Sequence, residues 1–331
     1  MIKKQILDII KKHKRFLIAG HINPEGDAIG SQLAMANLLK MMDKEVRIVN
    51  QDCVPKNIMF MPGVESVEQV ESLGDEVVEF EVAIILDSPT LERIGGVKDI
   101  IKGKYVICID HHVSNCEFGD INWVDAHCSS VGEMIFELFK SSHMAIDDAS
   151  ALCIYVAIMT DTGSFRYSNT TSRTHQIAAD LLLYDINSKQ VYENIYETKS
   201  FNTFKLLAQV LTNLKRTDDA KFVWFKVTNE MMSKNGLTSD CCEDFIALVR
   251  MIEGAEVVAF LREMENGQGV KVSFRSKTDI DVNVIAKTFG GGGHKAASGC
   301  VIKKNMDEAE KLLLNVVEQA IKKKMERPKQ Y

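Results

Sequence analysis

Apolar positions in the first half of the chain alternate between two patterns. Short runs rich in β-branched residues occur at 15–20 (RFLIAG), 46–50 (VRIVN), 82–87 (VAIILD) and 105–110 (YVICID), and they predict buried strands. Between the first two, IGSQLAMANLLKMM (29–42) repeats its apolar residues at helical spacing. Strand and helix in alternation predict an α/β fold with a mostly parallel sheet flanked by helices. In such sheets ligands gather at the carboxyl ends of the strands. Residues 129–160 predict mainly helix, closing on ALCIYVAIMT.

From 188 to about 215 the pattern is helical and tyrosine-bearing, as expected of a connector. The second half opens on the strand-like KFVWFKV (221–227) and continues through CCEDFIALVRMIEG (241–254) as a helix. AEVVAFLREM (255–264) and GVKVSFRS (269–276) then read as paired strands around ENGQG. A glycine loop at 290–293 follows, with a helix expected to start near Lys295, and the tail KKKMERPKQY reads as a solvated end. The expected organisation is a first domain over 1–187, a helical connector over 188–218, and a smaller α/β domain over 219–331, with a cleft between the domains.

Composition narrows the class. No apolar stretch approaches the roughly 18–20 residues that span a bilayer. The charged, helically spaced N-terminus lacks a cleavage site, so a cytoplasmic protein is expected. The eight cysteines show no CxxC spacing and read as buried, reduced thiols. Residues 1–200 carry 19 basic against 29 acidic side chains, a net −10, and residues 201–331 carry 21 against 17, a net +4. An acidic half beside a mildly basic half suits a metal site in one and an anion-binding surface in the other. Neither value suits coating of long nucleic acid.

Four segments carry candidate chemistry: HINPEGDAIGS (21–31), Asp87-Ser88-Pro89, Asp110-His111-His112, and MTDTGSFRY (159–167). Taken singly, each has an ordinary reading, since an Asp at a strand end is most often a turn or helix cap. Ser31, Ser88 and Ser164 read as caps or loop hydrogen bonders. Convergence changes the picture, because three of the four sets follow strands that deliver their loops to one sheet edge. Unpaired carboxylates crowded there would repel one another unless cations neutralised them. Mixed carboxylate and imidazole donors without thiolate suit Mn²⁺, and Mg²⁺ less well.

The triplet at 110–112, the HxxPxGDAIGS run at 21–31 and TDTGSFRY at 160–167 resemble the DHH phosphoesterase family. GGGGHKAASG (290–299) is similar to the signature of that family's associated C-terminal domain. SFRS and GGGGH look most like the nanoRNase group, which degrades short oligoribonucleotides and dephosphorylates 3′-phosphoadenosine 5′-phosphate (pAp). The resemblance implies that Asp27, Asp87, His111 and Asp161 hold one metal, and that His21, Glu25 and the shared Asp87 hold a second. His112 would contact the scissile phosphate or orient the attacking water. Family members usually have Asp where this chain has Glu25, which leaves the second metal's position and affinity open.

The implied cofactor is Mn²⁺, two per active site, with Mg²⁺ or Co²⁺ as substitutes, and the implied assembly a homodimer. The glycine run (Gly291, Gly292, Gly293) with His294 would cradle a phosphate, and Arg275 and Arg250 are candidates for bidentate phosphate contacts. Short RNA or mononucleotide bisphosphates are the expected substrates. A phosphodiesterase of cyclic or linear dinucleotides such as c-di-AMP would use the same metal residues, and a non-catalytic nucleotide-binding module is the rival from another class.

Overall fold

The computed structural model describes residues 1–74, 78–264 and 267–325, so Glu265 and Asn266 of the expected turn and residues 326–331 of the tail lie outside it. Two compact units are present, Met1–Thr198 and Lys199–Tyr331. The segment expected as a connector contains two helices, Ser188–Tyr196 in the first unit and Phe201–Thr212 in the second.

The first unit is built on six parallel strands: β1 (Arg15–Ala19), β2 (Glu45–Asn50), β3 (Val67–Gln69), β4 (Val82–Leu86), β5 (Tyr105–Asp110) and β6 (Ile121–Val124). Their order across the sheet is β3-β2-β1-β4-β5-β6. The chain therefore reverses its direction of travel between β1 and β4. Loops leaving these two neighbours part there and open a crevice at their carboxyl ends. Phe16 and Ile18 pack into a large core with the helices Gly26–Met41, Val131–Ser142 and Asp148–Asp161. Leu17 and Ala19 point the other way, into a smaller cluster with Ile94, Val97 and Ile101. Burial on both faces is why β1 and β4 read as unbroken apolar runs rather than as alternation.

Helix Gly26–Met41 is buried nearly all round, because helix Asp148–Asp161 lies against its outer face. Gly30 permits that approach, since a Cβ there would run into the Cys153 carbonyl. The contact brings the two helices together near Asp27, at the start of one, and Asp161, at the end of the other.

The second unit holds a mixed sheet of β7 (Lys215–Arg216), β8 (Phe222–Val227), β9 (Val257–Glu263), β10 (Val270–Ser276), β11 (Gly292–Gly293) and β12 (Ala297–Ile302), in the order β11-β12-β10-β9-β8-β7. Strands β9 and β10 pair antiparallel, as expected. Two sequence expectations are corrected here. The single helix over 241–254 is instead a 3-10 turn, Ser239–Cys242, followed by the short helix Phe245–Val249. No helix begins near Lys295: the chain turns there between β11 and β12, with His294 N–H donating to the Ala297 carbonyl at 2.7 Å. The cysteines also divide differently, for Cys53 and Cys116 are exposed while most of the others are buried, and all eight are free. Among the described residues no helix is long and apolar enough to cross a membrane.

Helix Met306–Met325 is fastened to this sheet by Glu310. Its carboxylate accepts from Trp224 Nε1 at 2.6 Å, Lys215 Nζ at 2.9 Å and Lys226 Nζ at 2.7 Å. Burial alone would raise the Glu310 pKa, but the bonds from Lys226, Trp224 and Lys215 bring it down to about 2 from its ordinary 4.5. A depressed carboxyl contributes stability above its unfolded pKa and loses it as pH falls through the folded one. Glu310→Gln is therefore expected to lower unfolding free energy by about 2 kcal/mol at neutral pH. The deficit relative to wild type should shrink as pH falls from 4.5 towards 2. Urea denaturation across that range checks it, and a deficit independent of pH would contradict the assignment.

Candidate metal centre

The loop after β1 supplies His21, Glu25 and Asp27. His21 Nδ1 donates to the Ile22 carbonyl at 2.7 Å, which leaves Nε2 facing Asp87 Oδ2 at 3.4 Å. Glu25 stands at the N-cap position of helix Gly26–Met41, yet its side chain makes no capping bond. The carboxylate lies instead with His21 and Asp87, donor atoms of all three falling within 4.8 Å of one another. Asp27, in the first turn, is fully buried. It accepts from Ser31 Oγ at 2.9 Å and from the N–H groups of Val131 and Gly132 at 2.8 and 2.9 Å. Ser31 thus holds a carboxylate rather than capping a helix.

Asp87 follows β4 directly and takes a left-handed backbone, φ 56°. That conformation is uncommon for a residue other than glycine and is more often tolerated at functional sites. Its side chain is buried, and Oδ1 has no hydrogen-bond partner. Asp110, at the end of β5, is not aimed at the same point. It accepts from His112 Nδ1 at 2.8 Å and from Asn115 Nδ2 at 2.6 Å, so the first residue of the triplet orients the third. His111 Nδ1 is turned to the Cys128 carbonyl at 3.3 Å. Its Nε2 then faces Asp27 at 3.8 Å, Asp87 at 3.5 Å and Asp161 at 3.6 Å.

Asp161 ends helix Asp148–Asp161 and is steadied by Asn169, whose Nδ2 donates to its carbonyl at 3.1 Å and its carboxylate at 3.3 Å. The next turn is strained, with Gly163, Ser164 and Phe165 all left-handed. Ser88 Oγ donates to the Thr90 carbonyl at 3.1 Å, a loop role as expected.

The donor chemistry fits divalent cations. Separations of 3.4 to 3.8 Å between imidazole nitrogens and carboxylate oxygens are long for hydrogen bonds. They match the spacing of about 3–4 Å expected between neighbouring ligands around an ion bound at about 2.1 Å. Three donor sets form: His21, Glu25 and Asp87; Asp27, His111 and Asp161; Asp87, His111 and His112. Charge tells the same story. Burial drives the Asp27 carboxyl well above its usual range, and Asp87 and Asp161 nearby push it further. Burial also lifts Asp161 to about 6, with Asp87 and Glu25 adding to it. Burial alone would lower His111, but the carboxylates, Asp87 first, raise it to about 10. Without an ion, the carboxylates and the imidazoles beside them share protons, a role that divalent cations would take over.

The seven residues His21, Glu25, Asp27, Asp87, His111, His112 and Asp161 are thus brought to one crevice. Sequence reasoning misses Asn115, Asn169 and the Val131 and Gly132 N–H groups, none of which lies in a motif segment.

In the second unit, Arg275 on β10 pairs in register with Ala297 of β12, three residues beyond the exposed His294. The glycine run differs from the expected cradle. Gly290 and Gly291 N–H groups donate to the Lys287 and Ala286 carbonyls, closing helix Val282–Lys287, and Gly292 and Gly293 pair with β12. A Cβ on Gly291 or Gly293 would strike the β12 backbone, so these glycines serve close strand approach. Arg250 ends helix Phe245–Val249, which packs on the sheet face opposite to helix Val282–Lys287.

Comparison with known proteins agrees with this layout. The model for the N-terminal domain of the DHH family matches residues 15–158, and the DHHA1 domain model matches 219–323. A Thermus thermophilus protein named bifunctional oligoribonuclease and PAP phosphatase NrnA is 33% identical over 306 residues, covering 92% of this chain and 89% of that protein. The Bacillus subtilis protein of the same name is 29% identical, covering 95% and 97%. An exopolyphosphatase-related protein from Bacteroides fragilis, known from its crystal structure, superposes with a TM-score of 0.88 at 30% identity, covering 97% of this chain and 95% of that one.

Proposed function

This chain belongs to the DHH family and is a phosphoester hydrolase, and we propose that it degrades very short oligoribonucleotides and removes phosphate from pAp. The proposed cofactor is a pair of Mn²⁺ ions. His21, Glu25 and Asp87 would hold one, and Asp27, Asp87, His111 and Asp161 the other. One observation carries this reading: a buried carboxylate, Asp87, stands between two separate donor sets and keeps an unpartnered oxygen.

When bound, two divalent cations supply Lewis acidity, bringing a water's pKa towards about 7 and offsetting charge on the phosphate. The chain's own residues do the rest. His111 and His21 each present Nε2, because a backbone carbonyl occupies Nδ1. His112 is held through Nδ1 by Asp110, which leaves its other nitrogen for the scissile phosphate or the attacking water. No side chain is needed as a covalent nucleophile. In the second domain, Arg275 and His294 are the proposed phosphate contacts, with the glycine run giving them room and Arg250 a secondary candidate. The proposed setting is cytoplasmic and the proposed assembly a homodimer.

Parallel assays with Mn²⁺ against pAp, short RNA and c-di-AMP test the reading. Turnover of pAp and di- to pentanucleotides supports it, whereas sole turnover of c-di-AMP transfers the activity to cyclic dinucleotides. Nucleotide binding without turnover would leave only a binding module. His294→Ala is expected to raise KM for pAp by about tenfold with kcat little changed, the signature of lost uniform binding. A fall in kcat at constant KM would remove His294 from that role.

A further inference from the structure

One buried carboxylate close to the centre makes no contact with the crevice. Glu133, 1% exposed, lies in the first turn of helix Val131–Ser142. Its Oε2 accepts from both the N–H and the hydroxyl of Ser129, at 2.9 and 2.7 Å, and from Thr174 Oγ1 at 3.4 Å. Oε1 is paired with Arg173 Nε at 3.0 Å. The gripped segment, 128–132, contacts two members of one donor set and reaches the third through Asn169. The Cys128 carbonyl orients His111. Asn169 bridges the Ser129 carbonyl, at 2.9 Å, to Asp161. Val131 and Gly132 donate their N–H groups to Asp27.

We infer that Glu133 is a positioning residue: by clamping Ser129 it fixes the backbone collar 128–132 that aims Asp27, His111 and Asp161 at a common point. The inference rests on the two-cation reading above and deepens it. An ordinary helix cap would contribute to stability and nothing to cation affinity. Ser130 already caps this helix through its hydroxyl, which accepts from Glu133 N–H at 3.2 Å. Glu133 instead reaches back past that cap to the residue before it. Hydrogen-bonding partners behind a metal ligand commonly change affinity by 10–100-fold when removed.

Isothermal titration of the metal-free full chain with Mn²⁺ tests the inference, with thermal unfolding followed alongside. Glu133→Ala is expected to weaken one of two sites by about 10–100-fold and to leave the other near wild type. Glu133→Gln, which keeps an acceptor for Ser129, should recover part of the loss. Ser129→Ala, which deletes only the hydroxyl donor, should weaken the same site less. Wild-type affinity at both sites in folded variants overturns the inference, as does equal weakening of both. If Glu133→Ala does not fold, unchanged affinities in the Gln and Ser129 variants overturn it equally. A wild-type chain that takes up no Mn²⁺ would instead remove the two-cation reading itself.

Discussion

Asp87→Asn is expected to lower kcat for pAp hydrolysis by about a thousandfold or more while the protein stays folded. Asparagine has nearly the same shape and tolerates the left-handed backbone at φ 56°, so the substitution removes charge without forcing the chain to move. What is lost is the anionic side chain proposed to serve both ions, with His21 at 3.4 Å from one oxygen and His111 at 3.5 Å from the other. Weakening both cations together forfeits several kcal/mol of transition-state stabilisation, and each 1.36 kcal/mol is about tenfold in rate. Steady-state kinetics at saturating Mn²⁺, paired with measured metal content, checks the outcome. A loss of less than tenfold with two ions still bound would mean that Asp87 is not shared.

His112→Asn should behave differently, with kcat falling by about a hundredfold and cation affinity close to wild type. The structure allows two roles for this side chain, since His112 Nδ1 lies 2.8 Å from Asp110 and 3.7 Å from Asp87. The shorter contact is the hydrogen bond, so the ring is tethered by Asp110, as the proposed substrate-side role requires. A ligand role, in which His112 completes the set with Asp87 and His111, predicts instead that metal affinity falls in step with kcat. Calorimetry of the variant separates the two.

Much of this site is legible in the chain because burial on both faces forces continuous apolar runs, and those runs mark where β1, β2, β4 and β5 end. Residues that follow such ends, His21 to Asp27, Asp87 and the triplet at 110–112, fall on one sheet edge by strand logic alone. Strands β3 and β6 escape that logic because three- and four-residue strands leave too little pattern. Asp161 ends a helix, so its membership depends on a motif and not on a strand end. The supporting shell is illegible for another reason. Asn169 lies 40 residues from Ser129, and Val131 lies 104 residues from Asp27, and hydrogen bonds at such separations leave no local signal. The glycine run shows the converse error. Its composition suits a helix start or a hairpin equally, and pairing of Gly292 with Gly299 decides between them.

Anomalous diffraction at the manganese edge, from crystals of the full chain grown with Mn²⁺, would locate the cations and their ligands. Two peaks about 3.5–4 Å apart are expected. An Asp87 oxygen should lie within bonding distance of each, with His21 and Glu25 beside one and Asp27, His111 and Asp161 around the other. A single peak, or ions bound away from Asp87, would contradict this arrangement.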